Sequence, residues 1–579
     1  MYSFVELKKL AKKEINSKEI KVAILGNCST QFITTGVLGY AKTKGLNIKV
    51  FEADYNAIDN ILLDRTSDIY NFSPKYVILW LDVNKIYDEF LDLPTEEKKN
   101  FANSYIKKIE SYWDLISNNL NSRIIQPNFT EINDRVLGNY SCKIENTFIY
   151  QLRKLNYFLE EKMSEKNYIY PLDLLSIQIQ MGNDNFFDPT LYFNSKMPFS
   201  INAVPYVSKN ITDILLALEG KTKKCVILDL DNTLWGGTIG DLGIGGIEIG
   251  ELKRGMAFSH FQRWIKQLKE AGIILAVCSK NYEDVAKEPF EKAEEMVLKL
   301  SDISVFVANW ENKASNIKFI QEVLNIGMDS LVFIDDNPYE RDLVKKMLPA
   351  IEVPNLPEDA ALYLDFIQKG NYFEVSSYTK DGALRTQLYK EEFERKNFEK
   401  QYESIDDYLK SLNMEATVTP FKKEQYARIA QLTQRSNQFN LTTIRYNEKD
   451  IEQIANSDEY LTLAYSLKDS FGSYGLISVM IIKKLTNEKV YIETWLMSCR
   501  VLKRGMEEFI INYMVKYLKA KGFKFIESKY IKTEKNNMVK DIFKNFGFVE
   551  VQVDEKETKY ELVIDNYTDK ETYIGEDNE

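Results

Sequence analysis

The run Val226-Ile227-Leu228-Asp229-Leu230-Asp231-Asn232-Thr233-Leu234-Trp235, with Gly236-Gly237 directly behind it, limits what this chain can fold into. Three apolar residues leading into Asp-x-Asp predict a buried parallel strand that delivers two carboxylates to the loop beyond its C-terminal end. Open α/β sheets place their sites there. Leu230 then points back into the sheet, which leaves Asp229 and Asp231 on one side. A carboxylate in that position can attack phosphorus, and the second can protonate the leaving oxygen. The bland alternative is a strand that ends in an Asp-Asn turn with capping carboxylates, and the downstream residues weigh against it.

Three further segments follow in order. Ile273 to Asn281 reads as a second apolar strand, and the Ser279 hydroxyl at its end can hydrogen-bond a phosphoryl oxygen. Asn309-Trp310-Glu311-Asn312-Lys313 offers a positive charge suited to a transferring phosphoryl group. Leu331 to Pro338 is a third strand, ending in the paired acids Asp335 and Asp336. Carboxylates from two strand ends make a good Mg²⁺ site, because magnesium takes oxygen ligands. A His/Cys metal site is excluded: His260 is the single histidine, and Cys28, Cys142, Cys225, Cys278 and Cys499 are scattered without CxxC pairing.

This set resembles the haloacid dehalogenase superfamily of phosphotransferases. The stretches DLDNTLWGGTIGDLGIGGIEIG, LAVCSKN, ANWENKASNI and LVFIDDNPYERDLV resemble its FkbH-like branch. That resemblance implies a Mg²⁺-dependent phosphatase and glyceryltransferase that takes a three-carbon unit from 1,3-bisphosphoglycerate, removes phosphate and leaves a glyceryl thioester on an acyl carrier protein. Such units feed polyketide and related secondary-metabolite pathways. The implied roles are Asp229 as nucleophile, Asp231 as acid and base, and Thr233, Ser279 and Lys313 as phosphoryl contacts. Asp229, Asp231 through its carbonyl, Asp335 and Asp336 are the implied metal positions. Cys278, beside Ser279, is the candidate thiol for an acyl intermediate; the rival reading is a small buried residue at a strand end.

About 46 residues separate Thr233 from Ser279 and about 34 separate Ser279 from Lys313, too few for a separate lid domain. The mouth should therefore be open, flanked by a Gly-rich hairpin flap from Gly236 to Gly250. An open mouth suits a phosphate carried on a protein-tethered arm.

With 579 residues, about three to four domains are expected. The reading is an α/β chain of three: 1–200, 201–370 and 371–579. In the first, apolar strands at Lys21 to Gly26, Ile48 to Phe51, Tyr76 to Leu81 and Arg123 to Ile125 alternate with helical stretches, as in a doubly wound unit. Its layout resembles the SGNH-hydrolase fold. Ser29 stands in the small-residue loop Gly26 to Thr30, but Asp188-Pro189-Thr190-Leu191 has leucine where that family has its histidine. A serine without its base is a poor nucleophile, so this domain is expected to be non-hydrolytic, with Ser29 as a helix N-cap. The second domain is Rossmann-like without a large cap.

In the third, strands at Tyr460 to Ser466, Gly475 to Ile481 and Val490 to Met497, a helix at Val501 to Ala520 and a strand at Phe523 to Glu527 resemble the GNAT acyltransferase fold. The loop Arg500, Lys503, Arg504, Gly505 corresponds to the GNAT pyrophosphate loop, with lysine in place of its first glycine. It is the candidate contact for pantetheine or CoA. An alternative function is thus a phosphatase fused to an acyl-CoA-dependent acyltransferase. The tail from Asn566 is acidic and is expected to be disordered.

The net charge of -11 argues against general nucleic-acid binding. No apolar run approaches a membrane span, and the unpaired cysteines fit a reducing cytoplasm.

Overall fold

The computed structural model describes residues 2–577 apart from positions 16, 18, 133 and 534 and, within 378–400, all but Leu388, Glu391, Arg395, Phe398 and Glu399. Contacts divide the chain into two units, Met1–Ala217 and Leu218–Glu579. No helix among the described residues is long and apolar enough to cross a membrane.

In the first unit, β1 (Glu19–Gly26), β2 (Asn47–Glu52), β3 (Tyr76–Trp80), β4 (Arg123–Pro127) and β5 (Ile169–Leu172) form a parallel sheet in the order β2-β1-β3-β4-β5. The first four are the strands read from the sequence. The fifth was not, because four residues containing Pro171 give little signal; an edge position tolerates the missing N–H. The helix Val204–Leu218 also packs in this unit. A Cβ on Gly36 would meet Val204 Cγ1 at 2.6 Å and Ser208 Oγ at 2.2 Å, so this close approach needs glycine.

The second unit opens with β6 (Cys225–Leu228), β7 (Ile274–Ser279), β8 (Val305–Ala308) and β9 (Leu331–Ile334), a parallel sheet in the order β8-β7-β6-β9. Alternation splits its side chains between two cores. Val226, Leu228, Leu275 and Val277 pack with Phe258 and Phe261 of the helix Lys253–Glu270. Cys225, Ile227, Ala276 and Cys278 pack with Ile317 and Ile320 of the helix Lys313–Leu324. The flap differs from expectation. One antiparallel bridge, Gly236 with Glu248, closes it, and the short helix Ile239–Leu242 lies inside instead of paired strands.

The rest of this unit is built on β10 (Glu415–Thr419), β11 (Tyr460–Asp469), β12 (Gly472–Lys484), β13 (Lys489–Met497), β14 (Phe525–Ile531), β15 (Val549–Val553), β16 (Glu557–Val563) and β17 (Gly575–Glu576), in the order β15-β16-β14-β13-β12-β11-β10-β17. The expected hairpin joins β11 to β12. Strands β13 and β14 run parallel, but their register stops at Ile492 and Ser528. Beyond it the segment Phe439 to Leu441 enters the gap. Leu441 N–H donates to Trp495 O (3.2 Å), Met497 N–H to Phe439 O (3.1 Å) and Ile531 N–H to Leu441 O (2.8 Å).

The expected disordered tail is corrected. Ile574 is buried, Thr572 Oγ1 donates to Gly505 O at 2.8 Å, and β17 pairs with β10. Apolar Tyr573 and Ile574 interrupt the acidic run and supply the surface that docks it.

Candidate active site

Each expected phosphotransfer residue sits at the C-terminal end of the four-stranded sheet or in the loops beyond it. Asp229 continues β6, its N–H donating to Ile334 O at 3.0 Å. Leu230 is fully buried, as the alternation requires. Lys313 opens the helix that follows β8, and the Asn312 side chain caps that helix by accepting from Ala314 N at 2.7 Å. Its Nζ lies 2.9 Å from Asp229 Oδ2 and 2.6 Å from Asp335 Oδ2. All three side chains are almost wholly buried.

One ammonium thus faces two carboxylates, and Asp336 adds a third. Oxygens of Asp229, Asp335 and Asp336 lie within 4.8 Å of one another. Burial, followed by the charge of Asp229, pushes Asp335 up to about 7 and Asp336 up to about 6. Burial opposes the charge on Lys313, but Asp229 and Asp335 outweigh it and hold the ammonium above its usual range. Three clustered acids around one ammonium, with Asp335 and Asp336 pushed toward their protonated forms, fit a hard divalent cation with oxygen ligands.

Asp231 is held differently. Its Oδ1 accepts from Trp235 Nε1 (2.9 Å) and Ile239 N (3.0 Å), and its Oδ2 accepts from Asn281 Nδ2 (2.9 Å). These three donors fix its orientation and place its carboxylate outside the three-acid cluster, so the side chain of Asp231 is not a metal ligand. Asn281 also donates to Ser279 Oγ at 3.2 Å, tying Asp231 to Ser279. Sequence reasoning assigned Asn281 no role, although its position two residues beyond Ser279 puts it on the same side of an extended chain. Arg341 was missed too. Its Nη1 donates to the carbonyls of Asp335 (2.8 Å) and Asp336 (2.6 Å), and no periodicity flags it.

Two expectations are corrected by geometry. Thr233 is fully buried and its hydroxyl accepts from Asp336 N at 3.2 Å, so it braces the loops after β6 and β9 and does not present itself to a phosphate. Cys278 lies in the core beneath the helix Lys313–Leu324, with Sγ 3.8 Å from Lys313 O. Burial drives its thiol well up, so it is no reachable thiolate. Strand alternation causes this: Ser279 faces the site and its neighbour cannot.

In the first unit the N-cap position of the helix Gln31–Thr43 is Thr30, not Ser29; its side chain makes no capping hydrogen bond, and Thr30 Oγ1 instead donates to Glu52 Oε1 at 2.7 Å. Asp188 accepts from Leu191 N at 2.9 Å as the cap of its own helix. It therefore serves locally as a helix cap.

In the second unit the loop Arg500 to Gly505 is also unlike a pyrophosphate site. Lys503 does take the left-handed conformation of the glycine it replaces (φ 62°), and Gly505 follows at φ 80°. However, Lys503 N–H donates to Glu507 Oε1, and the adjoining cavity is lined by Asp406, Glu507, Glu508, Asp541 and Glu571. Arg500 and Arg504 are buried, Arg504 over the Tyr474 ring. Acidic walls repel a diphosphate.

The FkbH N-terminal domain family matches residues 21–216. The solved N-terminal part of the Bacteroides fragilis protein BF1531, which contains a phosphatase domain and is complexed with Mg, is 42% identical, with a TM-score of 0.63. The match covers 65% of this chain and 100% of that one. This chain is an FkbH-like protein with a phosphatase domain. The ribosomal-protein-S18-alanine N-acetyltransferase of Escherichia coli is 11% identical over 26% of this chain and 94% of its own, with a TM-score of 0.21. The spermidine N-acetyltransferase of Vibrio cholerae, in complex with CoA and spermine, is likewise 11% identical over 26% of this chain and 96% of its own, at 0.22. Those likenesses are too slight to assign the C-terminal region of the FkbH-like chain. No curated protein matches it.

Proposed function

We propose that this chain is a Mg²⁺-dependent enzyme of the haloacid dehalogenase type that removes phosphate from a 1,3-bisphosphoglycerate-derived three-carbon unit. The phosphate removed is the ester at C3, and the thiol of an acyl carrier protein attacks the C1 carbonyl, so that the glyceryl group becomes its thioester and the acyl phosphate leaves as inorganic phosphate. The observation that carries the phosphotransfer part is the buried cluster of Asp229, Asp335 and Asp336 around Lys313, with Asp231 aligned beside it. Magnesium held by Asp229, Asp335 and Asp336 would neutralise the cluster and the phosphoryl oxygens.

Asp229 attacks phosphorus in line, and the leaving oxygen takes a proton from Asp231. Asn281, Trp235 and the Ile239 amide keep the Asp231 carboxyl aimed during both the acid step and the later activation of water. Lys313 and Ser279 hold the transferring oxygens. The carrier and the glyceryl donor rest on the FkbH-like sequence stretches and on the match to the FkbH N-terminal domain. With Cys278 buried, direct transfer to the carrier thiol is the simpler route.

The test is phosphate release with magnesium, together with intact-mass measurement of carrier proteins incubated with a bisphosphoglycerate source. Asp229→Asn keeps the side-chain shape and loses the anionic nucleophile, so release should vanish with the melting temperature held. Release at the wild-type rate would exclude this nucleophile. An unchanged carrier mass in the presence of active phosphate release would exclude glyceryl loading alone.

A further inference from the structure

At the other end of the four-stranded sheet lies a cavity of about 340 Å³, between the loop Asn325 to Ser330 and the helix Tyr426–Arg435. Lys224 stands immediately before β6 and Ser330 immediately before β9, so this is the N-terminal edge of those strands. Asp229 is five residues along from Lys224, about 16 Å at the rise of an extended chain. The cavity is therefore separate from the phosphotransfer cluster.

Its lining is strongly cationic. Lys224, Arg428, Arg435, Arg500 and Lys535 face it, against one carboxylate, Asp329, which is already paired with Lys535. Arg435 is half-buried, and its guanidinium makes no hydrogen bond or ion pair among the described residues. Arg500 is only 7% exposed. Its Nε reaches Ser498 Oγ at 3.4 Å and its Nη2 reaches Tyr474 O at 3.2 Å, but Nη1 is enclosed without any acceptor. Arg435, a guanidinium with no carboxylate partner among the described residues, stands in a cavity whose lining carries four further cationic residues, an arrangement expected where the acceptor arrives with a ligand. Leu432, Phe439 and Met497 supply an apolar wall, and Cys499 stands at the edge.

We infer that this cavity is a second ligand site, which binds a small organic anion carrying a phosphate or carboxylate head on a short carbon skeleton. Arg435 and Arg500 hold the head and the apolar wall packs the skeleton. Because the site joins the β9 edge to the C-terminal sheet, a bound anion would also link these two parts of the second unit.

Half-buried Cys499 serves as the reporter. The full-length Asp229→Asn protein in EDTA, which removes metal from the other site, is treated with iodoacetamide, and alkylation is read peptide by peptide. Exposed Cys142 is the internal control. The probes are 3-phosphoglycerate, glycerate and inorganic phosphate, so the arms separate a phosphate head, a carboxylate head and a free ion. Millimolar 3-phosphoglycerate or glycerate should slow Cys499 alkylation several-fold and leave Cys142 unchanged. Arg435→Gln should raise the half-protecting concentration about tenfold or more. Isothermal titration of the same probes gives the same comparison without the thiol. Arg435 is half-exposed and carries the test if Arg500→Gln does not fold. The inference is overturned if no organic probe binds by either readout, if inorganic phosphate alone binds, or if binding survives Arg435→Gln unchanged.

Discussion

Replacing Lys313 by methionine removes the single cation from a cluster of three buried acids. Nζ lies 2.9 Å from Asp229 and 2.6 Å from Asp335, which at an effective dielectric of about 20 is a gross attraction of about 6 kcal/mol for each pair. Desolvation of the three groups offsets much of this, and breaking a buried pair costs about 3–5 kcal/mol net. The loss depends on pH, because the acids can escape by protonation. Their folded pKa values already stand above the unfolded value and would rise further without Lys313. Destabilisation from such acids is absent below the unfolded pKa and grows as pH rises through the folded one. The variant should therefore melt close to wild type at pH 5 and about 3–10 °C lower at pH 8 in EDTA, using about 1–2 °C per kcal/mol for a unit of this size.

Magnesium reverses the order of effects. With the competing ammonium gone, the divalent ion has the carboxylates to itself, so the variant should bind magnesium more tightly than wild type. Phosphate release should nevertheless fall about 10²–10³-fold, since a positioned cation on the phosphoryl group is lost. Differential scanning calorimetry at pH 5 and pH 8, with and without magnesium, measures the first part. Equal melting at pH 8, or an equal magnesium-induced rise in both proteins, would refute the reasoning.

Three further outcomes are expected. Asp335→Asn should raise the magnesium concentration needed for half-maximal phosphate release, because a formal charge leaves the ligand set; an unchanged titration would assign that role to Asp336. Apparent magnesium affinity of the wild type should be highest above about pH 7 and fall by up to about tenfold per pH unit per proton displaced as Asp335 and Asp336 protonate, and a flat affinity from pH 5.5 to 8 by calorimetric titration would count against those raised values. Cys278→Ala should keep phosphate release within about threefold and lose about 1 kcal/mol of stability from the small void; loss of release at an unchanged melting temperature would restore Cys278 as a reacting group.

The candidate site was legible because its acids and Ser279 each stand at the end of an apolar run. A parallel strand buried on both faces reads as continuous hydrophobic sequence, and its next residues fall at the sheet's carboxyl edge whatever the rest of the chain does. Asp229, Ser279 and Asp335 could therefore be named from local pattern alone. Lys313 needed the order of the segments as well, since a lysine opening a helix has no local mark of burial. Side-chain contacts across the site, such as Asn281 to Asp231 and Arg341 to the Asp335 carbonyl, left no trace in any one segment.

By itself, then, the sequence determined the strands with sustained apolar or alternating runs, β1 to β4, β6, β7, β9 and β11 to β14, and the acids they deliver, because alternation and apolar runs are local properties. Tertiary structure decided what each remaining group faces. It buried Cys278 under one helix while Ser279 faced the site, and it turned Arg500 inward to a cavity edge. It brought Phe439 to Leu441 between two strands from much later in the sequence, and docked Ile574 of an acidic tail against the sheet. Desolvation sets whether a thiol ionises or a guanidinium needs a partner, and desolvation depends on neighbours that only the folded chain brings together.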